Sequence, residues 1–172
     1  MSDLNLFFLP DEGKYDTQIS HLVTQLNYTR SRTLRQVKDL TMEQLDYFYD
    51  DKANSVGILL RHIAALEFDF QINSFERRAM NIKERDFWHG AVEGELYLRL
   101  TKGNELSYYL DLLEKVRAKT LEGLSERDDK WLYQSTFPGS KWNNYWLWFH
   151  QMEDECNHIG QMKIFLKHFK NQ

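Results

Sequence analysis

Apolar residues recur at helical spacing in four separated stretches of this chain, and no stretch makes a convincing strand. The first stretch runs from about Tyr15 to Leu40 on Ile19, Leu22, Val23, Leu26, Leu34 and Val37. The second starts behind a cap at Asn54 or Ser55 and runs to about Phe75. Its apolar residues go nearly all round, from Val56 through Leu60 and Ile63 to Phe70 and Ile72, which predicts a helix buried on more than one side. The third begins near Asn104 and repeats on Leu106, Tyr109, Leu110, Leu113, Val116, Leu121 and Leu124. The fourth spans Trp142 to Phe169. Four helical patterns without an internal repeat predict an all-α four-helix bundle, one domain over residues 1–172. Tyr47–Phe48–Tyr49 and Leu96–Tyr97–Leu98 have strand character but no evident partner.

The connections carry their own signals. Thr41-x-x-Gln44 has the form of a capping box. Residues 76–102 form a long polar link with room for a short turn of its own, and a link of that length lets helices 2 and 3 lie parallel. Ser125 to Ser140 is a second connector, with Pro138–Gly139 as its turn. Gly57 either allows close approach of a neighbour or sits in the weak first turn of its helix, and Gly160, inside the fourth stretch, points to tight helix contact that a partner subunit could supply.

Composition excludes several function classes. The formal net charge is −4 and no basic block occurs, so a phosphate-binding face for nucleic acid is not expected. One cysteine, Cys156, leaves no internal disulfide framework and fits a reducing interior. The apolar run at Leu6–Leu9 is too short and lacks the basic flank of a signal peptide, and no stretch approaches the roughly 20 apolar residues of a membrane span. A cytoplasmic protein without membrane contact is the expectation.

The fourth stretch carries the chemistry. His150, Asp154 and His158 lie at successive i, i+4 steps and form one column. His150 and His158 are roughly 12 Å apart along the axis, too far to share one ion, whereas Asp154 and His158 are roughly 6 Å apart and reach a common point. His62, mid-helix among apolar residues, is the best distant third ligand, because a buried imidazole needs a partner for both nitrogens. Three protein ligands leave a position open, as in catalytic sites. His150 is expected to cap the site or to pack, and His150 or Glu155 stands as an alternative to Asp154. Glu155–His158 is the i, i+3 pair of di-iron bundles, but a second pair is missing. Cys156 should face away from Asp154, and His21 and His168 default to the surface. His89 could reach over the site. Arg30, on the apolar stripe of the first helix, either lies along the core edge with its head in water or orients an anionic substrate. The aromatic cluster Trp142, Tyr145, Trp146, Trp148 and Phe149 reads as core or dimer contact.

Two segments resemble a known family. Asn54-Ser55-Val56-Gly57 through His62 to Glu67 is similar to the second-helix motif of the DinB-like superfamily, and His150 through His158-Ile159-Gly160-Gln161 is similar to its fourth-helix motif. The resemblance covers nearly the whole chain. It implies a bundle of up-down-down-up topology with a long crossover link between helices 2 and 3, often a homodimer. It also implies a divalent metal, commonly zinc or nickel, on His62, Asp154 and His158, with iron or manganese as alternatives. Many members have histidine where this chain has Asp154; the thiol-dependent maleylpyruvate isomerase branch has a carboxylate there. Characterised relatives are transferases and isomerases that use low-molecular-weight thiols on small-molecule substrates. The expected function is therefore a metal-dependent thiol S-transferase or related hydrolase. A non-catalytic, metal-binding dimeric bundle or interaction module is the alternative.

Overall fold

The computed structural model describes residues 6–9, 13–50, 53–88, 91 and 102–171. Every regular element among them is helical. The elements are α1 (Thr17–Val37), α2 (Met42–Asp46), α3 (Val56–Gln71), α4 (Ile82–Trp88), α5 (Leu106–Ser125) and α6 (Asn144–Phe169). A π turn over Ile72–Glu76 extends α3, and a 3-10 turn, Asp129–Tyr133, precedes α6. Tyr47–Phe48–Tyr49 is not a strand but an irregular connection, and Leu96–Tyr97–Leu98 and His89 lie outside the described residues. No helix among the described residues is long and apolar enough to cross a membrane.

Local chemistry sets the helix starts. Ser55 accepts from the Ile58 amide and opens α3, and Asn143 accepts from the Trp146 amide and opens α6. Thr41 and Gln44 form the expected capping box on α2. The start of α1 is different, because the side chain of its own cap residue, Asp16, makes no capping bond. Instead Asp129, more than a hundred residues downstream, accepts from the amides of Gln18 and Ile19 at 2.9 and 3.2 Å. Asp16 in turn accepts from the Asp129 amide at 3.1 Å.

Each long helix packs on two others. Gly57 meets Tyr109, Glu67 meets Arg117, and Gln71 meets Thr120, so α3 and α5 run side by side in the same direction. His62 meets His158 while Phe70 meets Trp148, so α6 runs opposite to α3. Arg30 reaches the Leu113 carbonyl and Arg117 the Leu26 carbonyl, so α1 runs opposite to α5.

The apolar interior has two parts. One gathers Leu60, Ile63, Tyr109, Leu113, Met162 and Phe165, the other Ile19, Leu26, Phe70, Leu124, Trp131 and Trp148. Leu34 is exposed, and Thr33 takes the inward place beside it. Between the two parts lies a buried layer of charge, with Arg30 from α1, Glu67 from α3, Arg117 from α5 and Glu155 from α6. Arg30 donates to Glu67 at 2.7 Å and to Glu155 at 2.8 and 3.2 Å. Arg117 donates to Glu67 at 2.6 and 3.1 Å and lies 3.6 Å from Glu155. Thr33 donates to Glu155 and Thr120 to Glu67, both at 2.7 Å. Two positive and two negative charges cancel, and each of the four long helices contributes one. Arg30 therefore neither lies with its head in water nor meets a substrate, because Glu67, Glu155 and a backbone carbonyl occupy its donors. Burial opposes its charge, but Glu155 and Glu67 more than offset this and hold it protonated.

Candidate metal centre

His62 lies on the second turn of α3, and Asp154 and His158 lie one turn apart on α6. Because α3 and α6 are adjacent and opposed, the three side chains meet. The Nε2 of His62 lies 3.3 Å, and the Nε2 of His158 3.2 Å, from Oδ2 of Asp154. One ligand atom from each residue falls within 4.8 Å of the other two, the only such group of three His, Cys, Asp or Glu among the described residues. Ligands 2.0–2.1 Å from a tetrahedral ion stand roughly 3.3 Å apart, and the two nitrogen–oxygen spacings match that edge.

The outer nitrogens are already committed. Nδ1 of His62 donates to the Ala91 carbonyl at 2.6 Å, which accepts only. Nδ1 of His158 donates to Oε1 of Gln161 at 3.1 Å. Each neutral imidazole therefore turns a bare Nε2 lone pair toward the Asp154 carboxylate. Asp154 Oδ2 and His158 Nε2 are buried without a hydrogen-bond partner despite their closeness. Lone pairs facing a carboxylate repel one another, and two things relieve this: a proton on an imidazole, or a cation between them. The donor set thus fits a divalent metal on an observation independent of sequence pattern.

Electrostatics agree with the geometry. Burial disfavours the charged carboxylate of Asp154, but hydrogen bonds and charge from His158 and His62, when these imidazoles carry the relieving proton, outweigh it and hold its pKa well below the ordinary range. Burial also disfavours the imidazolium of His158, but Asp154 outweighs this and raises its pKa above the ordinary value. The three side chains are 13–19% exposed, while the facing atoms Asp154 Oδ2 and His158 Nε2 are themselves buried.

The other residues weighed from the sequence lie elsewhere. His150 pairs with Glu153 at 3.1 Å and stacks on Trp146; it packs rather than ligates. Glu155, one position from Asp154, turns into the charge layer instead. Neither replaces Asp154 in the converging group. Cys156 does face away, 3.7 Å from Thr29 on α1. His21 and His168 are exposed, His168 against Tyr49. Trp148 is core, while Tyr145, Trp146 and Phe149 on α6, with Trp142 just before it, form an exposed stripe. Sequence reasoning missed the Ala91 carbonyl, because a backbone acceptor leaves no mark in residue type. Gln161 was quoted only as part of a motif, although its place three residues after His158 is the signal for its role.

A family model described as mycothiol-S-transferase matches residues 21–165. No curated protein matches the chain.

Proposed function

Since the chain belongs to the mycothiol-S-transferase family, within the DinB/YfiT-like superfamily, we propose that it is a metal-dependent transferase that moves a group onto the sulfur of a low-molecular-weight thiol. The observation that carries this reading is the convergence of His62, Asp154 and His158 with both Nδ1 atoms already donated outward. In the proposed site His62 and His158 would hold a divalent metal through Nε2 and Asp154 through Oδ2. A divalent ion bound there supplies Lewis acidity, which favours the thiolate of a bound thiol at neutral pH. Ala91 and Gln161 fix the tautomers and ring planes, and Asp154 reduces the net charge of the site. In the transfer the thiol gives up its proton to solvent, its sulfur bonds to an electrophilic carbon of a small-molecule donor, and the leaving group departs from that carbon with the bonding pair. Zinc or nickel is proposed first; two histidines and a carboxylate also suit iron or manganese.

The wider reading follows the family. The four long helices form one domain with up-down-down-up topology, which the pairwise helix directions support. A cytoplasmic homodimer is proposed, and the exposed stripe of Trp142, Tyr145, Trp146 and Phe149 offers it a face. That stripe is also the observation behind the second reading, a non-catalytic dimeric bundle that binds metal.

Elemental analysis of protein purified without a histidine tag or chelator tests the centre. Near-stoichiometric metal is expected in the wild type, with loss in His62→Ala and in an Asp154→Ala/His158→Ala double variant. Conjugation of mycothiol to an electrophile should then follow the metal content. An absence of metal in the wild type after incubation with zinc, nickel, manganese and anaerobic ferrous iron would overturn the proposal. Bound metal without conjugation to any thiol would favour the second reading.

A further inference from the structure

The buried charge layer and the candidate metal centre share two helices. Glu67 follows His62 on α3 by five positions, and Glu155 follows Asp154 on α6 by one. On a helix those offsets are about 140° and about 100°. Each helix therefore presents a ligand toward its neighbour at the rim and a carboxylate toward the bundle interior. Any rotation of the helix about its axis moves both together. A side-chain head about 5–6 Å from the axis travels about 1 Å for a turn of 10°, whereas metal–ligand distances tolerate about 0.2 Å.

We propose that the Arg30–Glu67–Arg117–Glu155 quartet is a positioning device for the metal centre, with Arg30 as the residue that sets α3 and α6 in rotation and register against each other. Arg30 is suited to this. One planar guanidinium, wedged in from α1, donates to the carboxylates of both ligand-bearing helices and to the Leu113 carbonyl of α5. Its fork fixes direction as well as distance. Arg117 holds Glu67 from the opposite side, and Thr33 and Thr120 each lock one carboxylate oxygen. Stability is a poor reason for the arrangement, because well-packed apolar residues commonly do as well as a buried ion network. Directional definition is what the charged network adds.

The inference rests on the metal reading, and the test separates the two. Cobalt(II) titrations of the wild type and of Arg30→Lys report affinity and, through the visible absorption bands, ligand geometry. Arg30→Lys keeps a buried positive charge and loses the fork. Leu132→Ala, a core truncation away from the site, serves as the control for destabilisation, with thermal melts run on all three. Arg30→Lys is expected to lose at least tenfold in cobalt affinity and to shift the absorption bands, while Leu132→Ala keeps both at a comparable loss of Tm. Thr33→Val removes one bond to Glu155, leaves all four charges in place and should show a smaller loss of the same kind; it decides the matter if Arg30→Lys does not fold. Unchanged affinity and spectrum in the folded variants overturn the positioning role and leave the metal reading intact. Failure of the wild type to bind cobalt overturns both.

Discussion

Asp154 sits between two imidazoles, and its role changes with proton and metal. Its folded pKa is depressed, so the stability it contributes is present above the ordinary 3.8 and is lost as pH falls below it. The folded pKa of His158 is raised, so its contribution is full below the ordinary 6.5 and is lost as pH rises through the folded value. In metal-free protein the pair therefore stabilises most between about pH 4 and 6.5. Asp154→Asn should cost about 1 kcal/mol at pH 5.5, after allowance for partial exposure, and less at pH 9. Urea denaturation of the metal-free variant at both pH values checks this; an equal loss at both would remove the pair from the account. Metal affinity should move the other way and strengthen as pH rises, because protons compete for the same Nε2 lone pairs.

Two glycines divide at the scale of the helix. Both Gly57 in α3 and Gly160 in α6 suggested close helix contact. At Gly57 a Cβ would stand 2.6 Å from the Tyr109 hydroxyl and 3.2 Å from the Leu45 carbonyl. Tyr109 is fully buried, so its ring has little room to yield. Gly57→Ala should therefore destabilise by about 1–3 kcal/mol despite the gain in helix propensity. Gly160 is exposed and, among the described residues, has nothing within 4 Å of a Cβ, so none of these makes the expected contact. Gly160→Ala should raise stability by about 0.5–1 kcal/mol. Thermal melts of the two variants should shift in opposite directions. A fall in Tm for Gly160→Ala, with loss of dimer by size-exclusion chromatography, would place the contact in a partner copy instead.

The charge layer ties together the whole molecule, and acid is the condition that releases it. Burial disfavours the Glu67 carboxylate, but Arg117 and Arg30 more than offset this and bring its pKa down to about 2. Its contribution is present above the ordinary 4.5 and is lost as pH falls toward about 2. Glu67→Gln leaves a buried arginine short of a counter-charge and should cost about 3–5 kcal/mol at pH 7. The same variant should flatten the decline in stability between pH 4.5 and 2. Guanidinium denaturation across that range reads the slope, and an unchanged slope would show that other carboxylates carry the acid response.

Much of the molecule was legible before its fold was known. Four helices follow from apolar periodicity, and the capping box at Thr41 on the short α2 and the cap at Ser55 on α3 follow from short polar side chains that reach their own chain's amides; the cap at Asn143 is equally local, but the periodic stretch alone placed that start at Trp142. These are local effects, set within a few residues. His62, Asp154 and His158 were reachable because a ligand pair one turn apart is a spacing, and because a histidine inside an apolar helix is conspicuous. Arg30 misled for the opposite reason. An arginine on an apolar stripe reads as a snorkelling stem or an anion binder, and its two glutamates come from α3 and α6, 37 and 125 residues away. Asp129 capping α1, Ala91 holding His62, and the unlike surroundings of Gly57 and Gly160 are of the same kind. Helices, the local caps of α2 and α3 and the ligand spacing were determined by the sequence alone, since each depends on neighbours along the chain. Which buried charges cancel, which lone pairs face each other and which glycine is crowded were decided by tertiary structure, because those energies depend on distances between segments that only packing sets.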